Sequence, residues 1–209
     1  MPLHKTINCF PDTQILLWNI TETAEMLSEG LHLTQRSLDR LRNMKSDAHR
    51  CGFLSVRQLL LSLGYQDSDL YYDEFGKPHL TDGKHISISH SYEYSAIIIS
   101  DRITGVDLEL RRDKIAIIAD KFIEPSFILD KNDPDYISKL TVNWGVKEAV
   151  FKIRNEKGIS FKDHIDVKLF EMSDKKTTAT LHFNNLQRQF DVYFEEIAEY
   201  TIVYLFERH

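Results

Sequence analysis

The chain is poor in the residues that build irregular scaffolds. It has 2 cysteines, 8 glycines and 5 prolines among 209 residues, and no segment of it is of low complexity. The two cysteines, Cys9 and Cys51, match neither a disulfide framework nor a zinc-binding spacing. This composition excludes a collagen-like chain and a small domain held together by disulfides.

Long apolar runs are also missing. No run approaches the roughly 20 residues that a membrane-spanning helix needs, and the first residues lack the apolar stretch of a signal peptide. We therefore expect a soluble, cytoplasmic protein that makes no contact with membranes.

The charge balance is mildly acidic. Lysine and arginine total 26, and aspartate and glutamate total 32, so the formal net charge is −6. Such a chain is not built mainly to bind a nucleic-acid backbone, and any phosphate contact must come from a local basic pocket. Hydrophobic residues make up 42% of the chain, which is enough for a packed core.

Hydrophobic periodicity predicts helices and strands in two successive groups. Helices are predicted over residues 21–28, 31–42, 47–63, 115–122 and 135–154. Strands are predicted over residues 15–20, 86–89, 96–99, 105–110, 166–171, 178–183 and 200–206. Thr21 is the expected cap of the first helix. The repeated order indicates an α+β protein of two similar halves, which we expect to cover residues 1–102 and 103–209.

Asp107 and Glu109 lie two residues apart in the alternating strand over 105–110. Side chains at this spacing leave the same face of a strand, and two neighbouring carboxylates repel each other. A divalent cation relieves this repulsion, and Mg²⁺ is commonly held by one or two carboxylates together with phosphate oxygens. A solvated strand edge is the structural alternative for this pair.

Trp144, Glu148 and Lys152 follow one another at intervals of four residues in the last predicted helix, so they share one helix face. One interpretation gives Glu148 a metal-binding or base role beside a cation. The alternative is a surface Glu–Lys pair below a tryptophan that anchors the core. Gly145 lies inside this helix at a cost of about 1 kcal/mol relative to alanine.

Three further segments offer donors to a phosphate. Ser89 and His90 end a strand, where adjacent side chains point to opposite faces, which argues against a Ser–His nucleophilic pair and for an anion site. Gly76-Lys77-Pro78 forms a turn that presents a single positive charge. Arg50 lies near the start of a predicted helix, a position that suits phosphate binding.

Together these segments resemble the 4′-phosphopantetheinyl transferases, in particular the large two-halved type that activates peptide and polyketide synthetases. They follow the family's order between residues 47 and 152. The matching segments are Asp47-Ala48-His49-Arg50, Gly76-Lys77-Pro78, Ile88-Ser89-His90-Ser91, Gly105-Val106-Asp107-Leu108-Glu109 and Trp144-Gly145-Val146-Lys147-Glu148-Ala149-Val150-Phe151-Lys152. The last two together are the most specific.

The resemblance implies two similar α+β halves in a pseudo-twofold arrangement, with the active site at their interface. Members of the family move the 4′-phosphopantetheine group of coenzyme A onto a serine of an apo acyl or peptidyl carrier protein. They release adenosine 3′,5′-bisphosphate. Because the duplicated architecture places a complete site in one chain, we expect a monomer.

The resemblance also implies residue roles. Asp107, Glu109 and Glu148 would hold Mg²⁺, with Mn²⁺ as an alternative, Glu148 would also be the base, and Lys152 would stabilise the α-phosphate. Coenzyme A would be bound by Arg50, Gly76, Lys77, Pro78, Ser89 and His90. Arg36 or Arg40 would replace the lysines with which family members often reach the 3′-phosphate.

Two other functions stay open at this point. A non-catalytic module with the same fold would bind coenzyme A or a carrier protein without turnover. A divalent-metal phosphohydrolase would need more metal ligands than the sequence offers.

Overall fold

A computed structural model describes residues 3–208. The chain divides into two compact units, of which the first ends at Arg102 and the second begins at Ile103. Each unit combines helices with antiparallel sheets, so the predicted α+β class is confirmed. Within the described residues, no helix is both long and apolar enough to cross a membrane.

The N-terminal unit contains a four-stranded and a two-stranded sheet. Its elements are β1 (Leu3–Phe10), β2 (Thr13–Asn19), α1 (Ala24–Ser28), α2 (Gln35–Asn43), α3 (Asp47–Ser62), β3 (Leu70–Tyr72), β4 (Pro78–Leu80), β5 (His85–Ser91) and β6 (Tyr94–Ser100). The larger sheet has the antiparallel order β1-β2-β6-β5, and β3 pairs with β4 as a hairpin. Helix α3 packs on the larger sheet through Phe53, Leu54 and Leu59.

Capping hydroxyls decide where the helices of this unit begin. Thr23, not Thr21, caps α1, because its hydroxyl accepts a hydrogen bond from the amide of Met26. Thr34 caps α2 in the same way, so the helix expected from residue 31 begins at Gln35. Ser46 caps α3 through its hydroxyl, which accepts a hydrogen bond from the amide of His49.

The C-terminal unit contains a five-stranded antiparallel sheet. Its elements are β7 (Thr104–Leu110), α4 (Ile115–Ile118), α5 (Tyr136–Arg154), α6 (Phe161–His164), β8 (Ile165–Val167), β9 (Lys176–Phe183), β10 (Leu186–Ile197) and β11 (Tyr200–Glu207). The strand order is β7-β11-β10-β9-β8. Helix α5 lies against β7 and β11, and its apolar face completes the main core of the unit.

Several elements differ from the sequence prediction. The helix expected over 115–122 is divided into α4 and a 3₁₀ turn over Ala119–Lys121. The strand expected over 166–171 ends at Val167, because a 3₁₀ turn with a capping box at Glu171 follows. Four strands, β1, β3, β4 and β10, and the short helix α6 were not predicted. β1 is an edge strand with several exposed polar residues, and the first four residues of β10 are exposed.

Candidate active site

Strand β7 carries the predicted carboxylates on a single face. Val106 and Leu108 are buried on one side of the strand. Asp107 and Glu109 alternate with them and accept hydrogen bonds from side chains of α5. β7 is the edge strand of its sheet, so the carboxylates lie beneath α5 at the margin of the sheet.

Two glycines bring α5 close to this edge. A Cβ atom on Gly105 would lie 2.5 Å from the carbonyl oxygen of Ala149, and one on Gly145 would lie 2.8 Å from Cγ2 of Val203. Side chains at these positions would therefore push the helix away from the sheet. This close approach accounts for a glycine inside the helix despite its propensity penalty of about 1 kcal/mol.

The helix face predicted from the sequence meets the strand face. Nζ of Lys152 lies 2.7 Å from Oδ1 of Asp107 and 3.1 Å from the carbonyl oxygen of Val106. Nε1 of Trp144 donates a hydrogen bond of 3.1 Å to Oε1 of Glu109. The two carboxylates of β7 are thus each bound by a residue of the same face of α5.

The electrostatics of the cluster favour protonated carboxyl groups. Burial, followed by the negative charge of Asp107, raises the pKa of Glu109 from 4.5 to about 7, although Trp144 and Lys152 lower it. Burial and the charge of Asp107 also raise the pKa of Glu148. These carboxyl groups therefore hold a proton more tightly than a solvent-exposed glutamate does.

This donor set fits a hard divalent cation. Its carboxylate oxygens are shielded from solvent and repel one another. A bound cation would offset both the lost hydration and the repulsion. In the arrangement described, Lys152 and Trp144 bind one oxygen each of Asp107 and Glu109. Between residues 3 and 208, no three His, Cys, Asp or Glu side chains are already grouped as metal ligands. Cation binding therefore requires at least one of these carboxylates to turn toward the others.

The N-terminal unit has a cavity of about 270 Å³ beside α3, and His90 is part of its lining. The ring of His90 lies 6.4 Å from that of His49, edge to face. A Cβ on Gly52 of α3 would lie 2.9 Å from Cδ2 of His90, so this glycine makes room for the imidazole. Tyr72 and Arg40 also line the cavity.

Arg40 gives this cavity a cationic and aromatic wall. Its guanidinium lies 5.4 Å from the ring centroids of both Phe53 and Tyr72. Arg36 lies 6.0 Å from the ring of Tyr72. Such a wall suits a ligand that is both aromatic and anionic, as a nucleotide is. In the sequence, Arg36 and Arg40 of the helix predicted over 31–42 indicated this wall. No sequence pattern indicated Tyr72.

The other predicted coenzyme A residues are not among those that line this cavity. Ser89 is buried on the opposite face of β5 from His90. Arg50 binds the carbonyl oxygen of Met44 and a carboxylate oxygen of Asp47. Gly76 and Lys77 lie in the turn between β3 and β4, where Gly76 has a φ of +83°, and Pro78 is the first residue of β4. Their binding roles stay predictions.

Two buried ion pairs escaped the sequence analysis. Lys147 donates to Oε2 of Glu124 at 2.5 Å and to the carbonyl oxygens of Phe161 and Ile165. In the N-terminal unit, Nε of Arg57 lies 3.0 Å from Oδ1 of Asp67. Such pairs join residues far apart in sequence, so no local pattern reveals them.

The network around Asp67 supports the cationic wall. Oδ2 of Asp67 accepts hydrogen bonds from the amide and hydroxyl of Thr34, and Oδ1 accepts one from the hydroxyl of Ser37. These bonds tie the first turn of α2 to Arg57 of α3. Since Arg40 lies on α2, Asp67 sets the position of that arginine.

Comparison with known proteins gives one informative relative. No protein-family model matches the chain. The chain is similar to the 4′-phosphopantetheinyl transferase Gsp of Aneurinibacillus migulanus, with 26% identity over 173 residues that cover 79% of this chain and 70% of the relative. The α+β fold and the order of the segments agree with this similarity to a 4′-phosphopantetheinyl transferase.

Proposed function

We propose that the protein transfers the 4′-phosphopantetheine group of coenzyme A to a serine of an apo acyl or peptidyl carrier protein and releases adenosine 3′,5′-bisphosphate. The observation that carries the proposal is the cluster of Asp107, Glu109 and Glu148 beside Lys152, in a chain similar to a transferase of this type.

Asp107, Glu109 and Glu148 would hold Mg²⁺, and Mn²⁺ would suit the same oxygen ligands. When bound, the cation neutralises negative charge on the pyrophosphate as the leaving group departs. The raised pKa values of Glu109 and Glu148 support this assignment, because groups that repel each other gain most from a shared cation.

Glu148 would take the proton of the carrier serine, directly or through a water molecule. The serine oxygen forms a bond to the phosphorus that bears the pantetheine arm, and the bond from that phosphorus to the bridging oxygen breaks. A carboxylate whose pKa is raised by burial is a better base near neutral pH than an exposed glutamate. Lys152, whose side chain is 28% exposed, would stabilise charge on the departing α-phosphate.

The nucleotide end of coenzyme A would occupy the cavity beside α3. His90, His49 and Arg40 supply donors and positive charge, and Tyr72 supplies an aromatic surface. Arg40 is the preferred candidate for the 3′-phosphate, because it lines this cavity.

The test incubates the protein with coenzyme A, Mg²⁺ and a panel of apo carrier proteins, and reads the intact mass of each carrier. We expect a gain of one phosphopantetheine group that is lost with a chelator and with Glu148→Ala. Glu199→Ala, a change at an exposed glutamate of the same unit, is the matched control and should transfer normally.

Three results would contradict this proposal. Retained transfer in both Glu148→Ala and Asp107→Ala would remove the assigned roles. Coenzyme A binding without transfer to any carrier would favour a binding module. Phosphate release from coenzyme A in the absence of a carrier would favour a phosphohydrolase.

A further inference from the structure

Trp144 is the one member of the α5 face to which the proposed reaction gives no task. Its indole Nε1 donates to Oε1 of Glu109 at 3.1 Å. The indole is also enclosed by other rings. Phe122 meets it edge to face at 5.2 Å, and Phe161 lies at 5.4 Å with the ring planes tilted by 57°.

The walls of this aromatic enclosure are themselves anchored to α5. Lys147 is buried and lies one helical turn after Trp144. Its ammonium donates a hydrogen bond of 2.8 Å to the carbonyl oxygen of Phe161. The same ammonium binds the carboxylate of Glu124, two residues beyond Phe122. Both rings are therefore held relative to the helix that carries Trp144, and the direction of the indole N–H is set by packing.

A carboxylate that accepts a bond from a fixed donor loses rotational freedom. The bond at Oε1 of Glu109 holds the plane of the carboxyl group, so its second oxygen is presented in one direction. Groups that orient a metal ligand in this way commonly change metal affinity by about 10–100-fold when they are removed.

We infer that Trp144 is a positioning residue that orients Glu109 for a divalent cation. The inference rests on the cation site of the proposed function, but it concerns binding of the cation and not transfer. It therefore predicts an effect on cation affinity that is measurable without any carrier protein.

The experiment measures Mn²⁺ affinity of the full chain by electron paramagnetic resonance, using Trp144→Phe. Phenylalanine keeps an aromatic ring in the enclosure but has no N–H to donate. We expect a dissociation constant for Mn²⁺ about tenfold higher than in the wild type. Trp18→Phe is the matched control, since Trp18 lies in the other unit and its indole points to Glu22 at 3.4 Å.

Fluorescence gives a second readout. The chain has two tryptophans, so Trp18→Phe leaves Trp144 as the single emitter. Mg²⁺ should change the emission of Trp18→Phe and leave that of Trp144→Phe unchanged.

If Trp144→Phe does not fold, Phe122→Leu replaces it, because this change loosens the packing around the indole and keeps its N–H. It should raise the Mn²⁺ dissociation constant about threefold, by a smaller effect of the same kind.

Equal Mn²⁺ affinity in wild type, Trp144→Phe and Phe122→Leu would overturn the inference, as would a wild type that binds no Mn²⁺. The proposed function is judged separately by the mass of the carrier. Wild-type protein that binds Mn²⁺ in a Trp144-dependent way but transfers nothing would leave the inference standing and remove the transferase function.

Discussion

Both units lay a long helix on an antiparallel sheet, and in both a helix glycine makes room for a side chain of a strand of that sheet. In the N-terminal unit, Gly52 of α3 faces His90 of β5. In the C-terminal unit, Gly145 of α5 faces Val203 of β11 and, at a longer distance, Asp107 of the edge strand β7. The packing is similar, but the chemistry is opposite.

The charges next to these glycines differ in sign. The N-terminal cavity is lined by Arg40 and two histidines, whereas the C-terminal cluster consists of carboxylates with Lys152. The packing of a helix on a sheet thus places side chains beside the glycine, and the charge of those side chains decides whether an anion or a cation is favoured there. The predictions that follow disturb one unit while the other serves as its reference.

The largest effect is expected at the base. Glu148→Gln should lower kcat by about 10²–10⁴-fold, because the serine proton then has no acceptor. The KM for coenzyme A should stay near the wild-type value, since the N-terminal cavity is unchanged. Steady-state kinetics with one apo carrier measures both constants. An unchanged kcat would assign the base to another group.

The buried ion pairs should follow, with effects on stability. Glu124→Ala leaves Lys147 buried without its carboxylate and should lower the free energy of unfolding by about 3–5 kcal/mol. Asp67→Ala should lower the free energy of unfolding by a similar amount. It should also weaken coenzyme A binding, because Asp67 holds the start of α2. Urea denaturation with a coenzyme A titration separates the two variants. Losses below about 1 kcal/mol would show that neither pair stabilises its unit.

Arg40 tests the N-terminal cavity alone. Arg40→Ala should weaken coenzyme A binding by about 10–100-fold, which corresponds to loss of one charge-assisted contact. The Mn²⁺ affinity should not change. Arg42→Ala on the same helix is the control, because its side chain is 71% exposed and pairs with Asp39. Calorimetry without metal measures both variants, and equal affinities would place the 3′-phosphate elsewhere.

The two helix glycines should respond unequally. Gly145→Ala forces a Cβ against Val203, which is buried, and should destabilise the protein by about 1–3 kcal/mol. Gly52→Ala meets only the edge of the exposed His90 ring, which can turn away. The free energy of unfolding of Gly52→Ala should stay within about 1 kcal/mol of the wild-type value, while its affinity for coenzyme A falls. Thermal unfolding compares them, and equal losses would contradict the difference.

The smallest effect is a pH dependence in the C-terminal unit. The pKa of Glu109 rises from 4.5 to about 7 on folding, so the folded state binds this proton more tightly. Its contribution to stability is full below pH 4.5 and is lost as the pH rises through 7. Without divalent cations, stability should fall by about 1 kcal/mol between pH 6 and 8. Glu109→Gln should flatten this slope in urea denaturation, and an unaltered slope would assign it to another group.

Local patterns predicted the elements that carry the site. The alternation around Asp107 and the four-residue spacing of Trp144, Glu148 and Lys152 depend only on strand and helix geometry. The structure contains the strand and the helix that these patterns predict. The extent of β1 and β10 was missed because their exposed polar residues weaken the pattern. Alternating Phe190, Val192 and Phe194, all buried, was the signal that could have revealed β10.

The sequence by itself determined the α+β class, the shared faces of the carboxylates and of the helix residues, and the order of segments that points to the superfamily. The contacts between these faces depended on tertiary structure. Only the fold brings Lys152 to Asp107, Trp144 to Glu109 and Lys147 to Glu124. The reason is that backbone geometry dictates direction over a few residues, whereas burial and packing decide which distant side chains meet.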